Sequence, residues 1–564
     1  MAYEVVENFA AGLDNRKSPL TAPGGTLTKL TNAAVNPGGE IEKRRAFIKL
    51  GTNMLAGTFG LAATSSTLYA FTRATTVVPP ALGITGTTLA FQTIPNGDAN
   101  LVQTDFDTFD GKIYLATSTV AAGTPLPVEP TAAQNPHYYD GVATEGAGKG
   151  FYLRTYQSKV YSVTGRYLYF SAINDPKLWN APATFTSVAV TSLSSSYPAR
   201  VTVAAADIAK FKDGMYVTIA GATAGGKLEP ANGSHVISDV GTPANTFTLT
   251  GIDTAGGTAQ TTGLTATPTP ALGRGYINLS VQDSDSERLT SLEVYYDKLA
   301  IFSTDAIQLW AVDPDPLQNA YVQLLRGTGT TAPRATSQYG SGDVLYLDQS
   351  GIRSMKAKDS SNSAAVSDIG SPIDPLLTHI VHHEGQEYFN RAIALLEPLV
   401  GRFWMVFKDI IYVLSYFPGP KITAWSTYTP GFDIDYAVAC GGRLYFRSGD
   451  ELYIYGGVDG FDYDQCEVDV RLPYLNGKKP GNNKIYEAVD MSIEGEWHVH
   501  VSYDFNNPEN EETVGTFAAS TWRDGRAELS GYGSHISLRF HNHDAEKAVL
   551  SNVAVHYQVV DDEQ

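Results

Sequence analysis

"LYFRSGDELYIY" (Leu444 to Tyr455) decides how the chain is read. Aromatic and aliphatic residues run up to Ser448-Gly449-Asp450 and resume directly after it. Two short β-prone runs on either side of a Gly-containing turn form an antiparallel hairpin. The unit returns as "LAIFSTDAIQLW" around Ser303-Thr304-Asp305, and as "VLYLDQSGIRSM" around Gln349-Ser350-Gly351. Less regular copies are "TSSTLYAFT" (Thr64 to Thr72), "FDGKIYLATS" (Phe109 to Ser118), "VTGRYLYFSA" (Val163 to Ala172) and "GRFWMVFKDIIYVLSYF" (Gly401 to Phe417). A hairpin with one apolar face must bury it, and small sheets set around an axis do so. Copies recur every forty to sixty residues or so, which is a blade's spacing. The repeat predicts an all-β protein: a β-propeller with an inserted small β module and a C-terminal β-sandwich-like domain. WD, kelch and Asp-box consensus sequences are absent.

Texture divides the chain further. Residues 1–50, rich in turn signals such as "PGG" and "NPGGE", read as an extended N-terminal arm ending in a first hairpin. Residues 51–180 and 273–465 carry the propeller hairpins. Between them, residues 181–272 lose charges and aromatics and become Thr-, Ala-, Gly- and Val-rich, as expected of a small β domain inserted between two blades. Residues 466–564 alternate strictly, as in "KIYEAVDMSIEGEWHVHVSYD", and read as a separate antiparallel domain. Helix signal is weak. Its best instance is "IDPLLTHIVHHEGQEYFNRAIA", where Asp374-Pro375 can open a helix.

Composition bounds function. The chain has 564 residues, 43% hydrophobic and 18% charged, with a formal net charge of −19. Between Asp459 and Gln564, 20 acidic residues face 8 basic ones. Such a balance argues against a protein that grips nucleic acid along its surface. It is compatible with one past which DNA slides without sticking. Two cysteines, Cys440 and Cys466, suggest neither a disulfide framework nor a zinc site. "MAYEVVENF" lacks the basic and apolar regions of a signal peptide, and charges interrupt the most apolar stretch, so no spanning helix is expected.

No P-loop, dinucleotide fingerprint, nucleophile elbow or HExxH occurs. His382, His383 and Glu384 are adjacent, and neighbouring side chains on a regular element point apart, which makes a poor chelate. His498 and His500 share a strand face, and His541, His543 and Asp544 lie in the same domain, a spacing that permits metal ligation and equally suits a polar strand face. "DFDTFDG" (Asp105 to Gly111) and "QDSDSERL" (Gln282 to Leu289) fail the calcium-loop pattern and read as acidic turns. No catalytic residue, cofactor or metal is expected.

The opening "NFAAGLDNRKSPL" and the following "LTKLTNAAVNPGGEIEKRRAF" resemble the start of tail nozzle proteins (tail tubular B, or stabilisation proteins) of short-tailed bacteriophages. The resembling residues are Phe9, Gly12, Leu13, Ser18 and Pro19, then Asn32 and Val35, then Gly39, Ile41, Arg44 and Phe47. "SERLTSLEVYYDKLAIFSTDAIQLWAV" is similar to that family's mid-chain blade. Gly531 to Ile536 is similar to its C-terminal text, with Ser534 in an Arg position. The resemblance implies a virion protein of the tail, assembled in the host cytoplasm. It would form a homohexameric ring below the portal and adaptor (head–tail connector) proteins, contacting tail fibres or spikes and passing viral DNA through its channel without specific binding. The family offers no catalytic residues to carry over. For assembly, the expected anchors are Phe9, Leu13, Pro19, Leu20, Arg44 and Arg45, on an arm that either closes the propeller or crosses a neighbouring subunit. The alternative from another class is a carbohydrate-binding or glycan-active propeller of a receptor-binding tail component.

Overall fold

The computed structural model describes residues 2–50, 56–72, 101–119, 152–176, 187–268, 274–282, 288–361 and 368–560 apart from single positions within them, with residues 54 and 179 and the strands at 82–84, 87–93, 137–139 and 143–145. The hairpins form as their turns dictate. Ser448 pairs with Glu451, so the turn of the first-quoted hairpin is Gly449-Asp450, with Gly449 at φ +56°. Asp110 and Gly111, both at positive φ, turn the strand Leu101–Phe109 into Lys112–Thr119. This is the Asp-Gly signal whose twist matches that of the strands it joins.

Among the described residues, six small sheets and one end of an eleven-stranded sheet make seven blade-like units. Their first strands are Thr58–Ala63, Leu101–Phe109, Tyr152–Tyr156, Leu289–Tyr295, Thr336–Tyr339, Ile393–Leu396 and Tyr436–Cys440. Each packs against the next, and Tyr436–Cys440 returns to Thr58–Ala63. The ring is therefore a closed seven-bladed propeller with these strands innermost. The seventh blade is completed from the far end of the chain: Phe47–Lys49 pairs with Tyr453–Tyr455. The pairing adds Phe47–Lys49 as the outermost strand of that blade and ties the two ends of the ring-forming chain together.

The remainder of the N-terminal segment is not a free arm. Ala2–Val6, Ala33–Val35 and Ile41–Lys43 share a sheet with Lys484–Glu494, Ala527–Gly533 and Val549–Val559. Lys29–Thr31 joins the opposing sheet, of Val468–Arg471, Trp497–Ser502, Glu512–Phe517 and Ser537–Asn542, and bridges it through Thr31 to Thr427 of blade six. Val6, Phe9, Leu13, Leu27, Leu30 and Val35 enter one core with Val468, Trp497, Phe540 and Val553. The sandwich expected from residues 466–564 alone is thus built from both ends of the chain and is continuous with the propeller.

The insert also sits differently from expectation. Strands between Val188 and Pro268 close into a six-stranded barrel with its own core, including Val201, Phe211, Val217 and Phe247. The barrel lies within blade three rather than between blades, because Gly275–Asn278 returns to pair with Tyr167–Phe170. The helix expected at Asp374 spans Asp374–His383, with Pro375 in its first turn. No helix among the described residues is long and apolar enough to cross a membrane.

Candidate functional site

The propeller axis holds a cluster of largely buried charge, Asp105 with Arg154 and Glu293. Asp105 and Asp107, expected in a turn, stand on the innermost strand of blade two. Asp105 accepts the N–H of Leu153 at 2.9 Å, and Asp107 accepts that of Thr155, so both carboxylates cap the edge of blade three. Arg154 then donates to Asp105 at 3.2 Å and to Glu293 of blade four at 3.1 Å. Gln103 works in the other direction, its amide accepting from Leu61 N–H at 2.7 Å and donating to Leu61 C=O at 3.0 Å in blade one. Across the axis, the Arg334 guanidinium lies 4.6 Å from the Tyr436 ring centre. Burial pushes the Asp105 carboxyl above its ordinary range against the pull of Arg154, and lifts Asp107 to about 6. Burial opposes the charge of Arg154, but Glu293, Asp105 and Asp107 outweigh it. Strand-to-strand linkage of this kind fixes the blades around an axis filled with side chains.

The expected assembly residues separate into two groups. Phe9 and Leu13 are buried in the chain's own core. Pro19 is exposed and Leu20 half-buried, on a loop held by Tyr474 N–H to Pro19 C=O at 2.9 Å. Arg44 is buried, donating to Asn32 Oδ1 at 3.0 Å and to both oxygens of Asp464 at 2.9 and 3.1 Å, and lies 4.8 Å from the Phe47 ring centre. Arg45 is half-buried, paired with Glu42 at 3.3 Å and stacked over Phe461 and Tyr463. Gly12 has φ +58°, and a Cβ there would stand 2.7 Å from Ala424.

Of the histidines, His382, His383 and Glu384 lie exposed at a helix end, and His383 stacks on His379 at 3.9 Å. His498, His500, His541 and His543 share one outer face of the sandwich, stacked His498 to His543 at 4.7 Å and edge-on His500 to His541 at 5.4 Å. Glu467, Asp469 and His541 bring ligand atoms within 4.8 Å of one another, the one such triad among the described residues. Sequence spacing did not flag Glu467 and Asp469, because they stand on a different strand. Both Asp469 oxygens are already taken, by Arg539 at 2.7 and 2.8 Å and by Lys29 at 2.5 Å. Although burial opposes it, these bonds hold the Asp469 carboxyl at about 2. A metal ion would have to displace two cations, so the triad fits an ion-pair network better than a metal centre. Asp544 contributes its backbone carbonyl to the buried Lys43 ammonium.

No family profile and no curated protein matches the sequence. Among solved structures, the chain is similar to the Cps50 (Swd1) β-propeller domain of Myceliophteria thermophila, at 9% identity and a TM-score of 0.25, over 63% of this chain and 96% of that one. It is similar to the endosialidase of phage phi92 at 11% identity and a TM-score of 0.23, over 79% and 68%. Hsv2 of Kluyveromyces lactis gives 9% identity and a TM-score of 0.24, over 60% and 86%.

Proposed function

We propose that the protein is a non-catalytic structural component of a phage tail, a nozzle subunit that assembles as a ring and lets the genome pass. One observation carries this reading. Apart from the exposed Ser18 and Pro19, the N-terminal residues that resemble the nozzle family are ones on which this architecture depends. Phe9 and Leu13 fill the shared core, Gly12 lets the arm pass against Ala424, Arg44 ties the arm to Asp464, and Phe47 opens the strand that closes the propeller. Gly531 similarly leaves room for the Tyr503 ring, which a Cβ would meet at 1.8 Å.

The filled axis adds a constraint. A duplex whose major groove alone is about 12 Å wide has no path through a propeller centre occupied by Arg154, Arg334 and Tyr436. The genome channel is then the space enclosed by several copies. Adaptor proteins above, fibres or spikes below, and DNA within are the partners this reading assigns, with the virion tail as its location. Electron microscopy of the purified chain tests it. Sixfold rings with an axial opening are expected; a monomer that binds glycans would overturn the reading.

A further inference from the structure

A concavity rich in cations lies where sandwich, blade six and blade seven meet. It encloses about 400 Å³ and is lined by Glu42, Lys43, Arg45, Glu397, Arg402 and Arg443, among others. Two of its cations are answered: Arg45 pairs with Glu42, and Arg402 is set against Glu397. Arg443 is not. Among the described residues its guanidinium meets backbone carbonyls alone, of Gly442, Val458 and Asp459, and its Nε is buried without a hydrogen-bond partner. Gly460 makes the space: at φ +83°, a Cβ there would lie 2.6 Å from the guanidinium carbon. Exposed apolar side chains flank the pocket, Leu399 at 63% and Phe461 at 67% accessible.

A complementary feature lies at the other end of the same sheet. The strand Val549–Val559 starts beside the pocket, where Val549 pairs with Glu42, and runs away from it. After it the sequence continues Val560-Asp561-Asp562-Glu563-Gln564, apolar and then acidic. Tyr3, Ile485 and Tyr532 are exposed around that end: Tyr3 pairs with His556, and Ile485 with both Gln558 and Tyr532. Ten residues of strand separate the two sites by roughly 33 Å, and four residues past Val560 reach at most about 14 Å. The segment cannot fold back into its own pocket.

We infer that residues 558–563 of one copy dock in the Arg443 pocket of the next, with the acidic side chains on Arg443 and the flanking apolar side chains meeting at the rim. Two different patches at opposite ends of one sheet make a head-to-tail contact, which closes into a ring when the rotation permits. This deepens the ring reading and rests on it.

The test uses the chain lacking residues 561–564, which leaves the pocket open, and a fluorescein-labelled peptide of residues 555–564, followed by anisotropy. Saturable binding is expected, weakened about tenfold or more by R443E in the protein or by D561N/D562N/E563Q in the peptide. The peptide changes cannot affect folding, which guards against an R443E chain that misfolds. No binding, or binding indifferent to both changes, would overturn the inference. Native mass spectrometry separates the two readings. If the shortened chain assembles as the full chain does, the tail contact is wrong and the ring stands. If the full chain forms open head-to-tail oligomers that the shortened chain does not, the contact stands and the closed ring is wrong; a full chain that stays monomeric overturns both. An adaptor protein as the true occupant would show as failure of the peptide to bind.

Discussion

Arg44 Nη1 lies 2.9 Å from Asp464 Oδ2, joining residues 420 positions apart where arm, sandwich and blade seven converge. The Arg44 side chain is 3% exposed, and it also donates to Asn32 Oδ1 at 3.0 Å. Asp464 is 31% exposed and stays partly solvated when Arg44 is removed, so the loss is that of the hydrogen bonds made by the buried guanidinium, about 1–3 kcal/mol. Arg44→Ala is therefore expected to lower unfolding stability by that amount in urea titration. Arg44→Lys, which keeps the charge but cannot reach Asn32 and Asp464 at once as the guanidinium does through Nε and Nη1, should fall between the two.

The arm's apolar residues divide sharply. Phe9 is fully buried in the core that joins both chain ends, whereas Leu20 is half-buried on a loop. Phe9→Ala should cost about 3–5 kcal/mol, the range for emptying a buried aromatic site. Leu20→Ala should stay within about 0.5 kcal/mol of the parent in the same urea titration, as surface changes do. Equal effects of the two substitutions would contradict the anchoring described here.

Much of the fold was legible because it is local. Each blade hairpin declares itself by two β-prone runs and a turn such as Gly449-Asp450 or Asp110-Gly111, and the sparse texture of residues 181–272 marked the barrel. What escaped depends on pairing between distant segments. Nothing in "AAV" (Ala33 to Val35) indicates that its neighbour Glu42 will pair with Val549. Nor does "GYIN" (Gly275 to Asn278) show that it completes a blade begun more than a hundred residues earlier. The site followed the same rule. His498 and His500 were visible as a spaced pair, but Asp469, which pairs across to His541, carries its Arg539 and Lys29 partners on two other strands. Asp105 and Asp107 read as a turn because an acidic residue on every second position of a strand is normally solvated; here the axis supplies Arg154 and backbone N–H groups instead.

Asp107 predicts a pH signature. Its folded-state value of about 6 lies above its ordinary 3.8, because burial penalises the charge. The folded state therefore binds the proton more readily than the unfolded state, and ionised Asp107 costs stability at pH above about 6, a cost that fades as pH falls toward 4. Asp107→Asn removes the ionisation. Its stability relative to the parent should be greatest near pH 8 and should decline as pH drops through 6. Asp469 works with the opposite sign: held at about 2, it stabilises above its ordinary 3.8, and that contribution is lost below. Urea midpoints of parent and D107N from pH 8 to pH 4 isolate the first effect, since Asp469 and the histidines are common to both. A difference independent of pH would refute the assignment.

Two glycines separate backbone need from chance. Gly12 combines φ +58° with a virtual Cβ 2.7 Å from both Ala424 Cα and Cβ, so a side chain there meets a strained backbone and a main chain that cannot yield. Gly225, in the barrel, has φ +74° but nothing within 4 Å. Gly225→Ala should cost about 1 kcal/mol, the left-handed conformation alone. Gly12→Ala should cost about 2–5 kcal/mol, strain and overpacking together. Because Gly12 pairs with Trp425 at the seam between arm and blade six, the loss should also loosen the arm. Limited proteolysis should then cut G12A within residues 2–43 under conditions that leave G225A intact there. Equal protection of the two variants would mean that the arm is held by the Arg44 junction and the sandwich strands without the Gly12 seam.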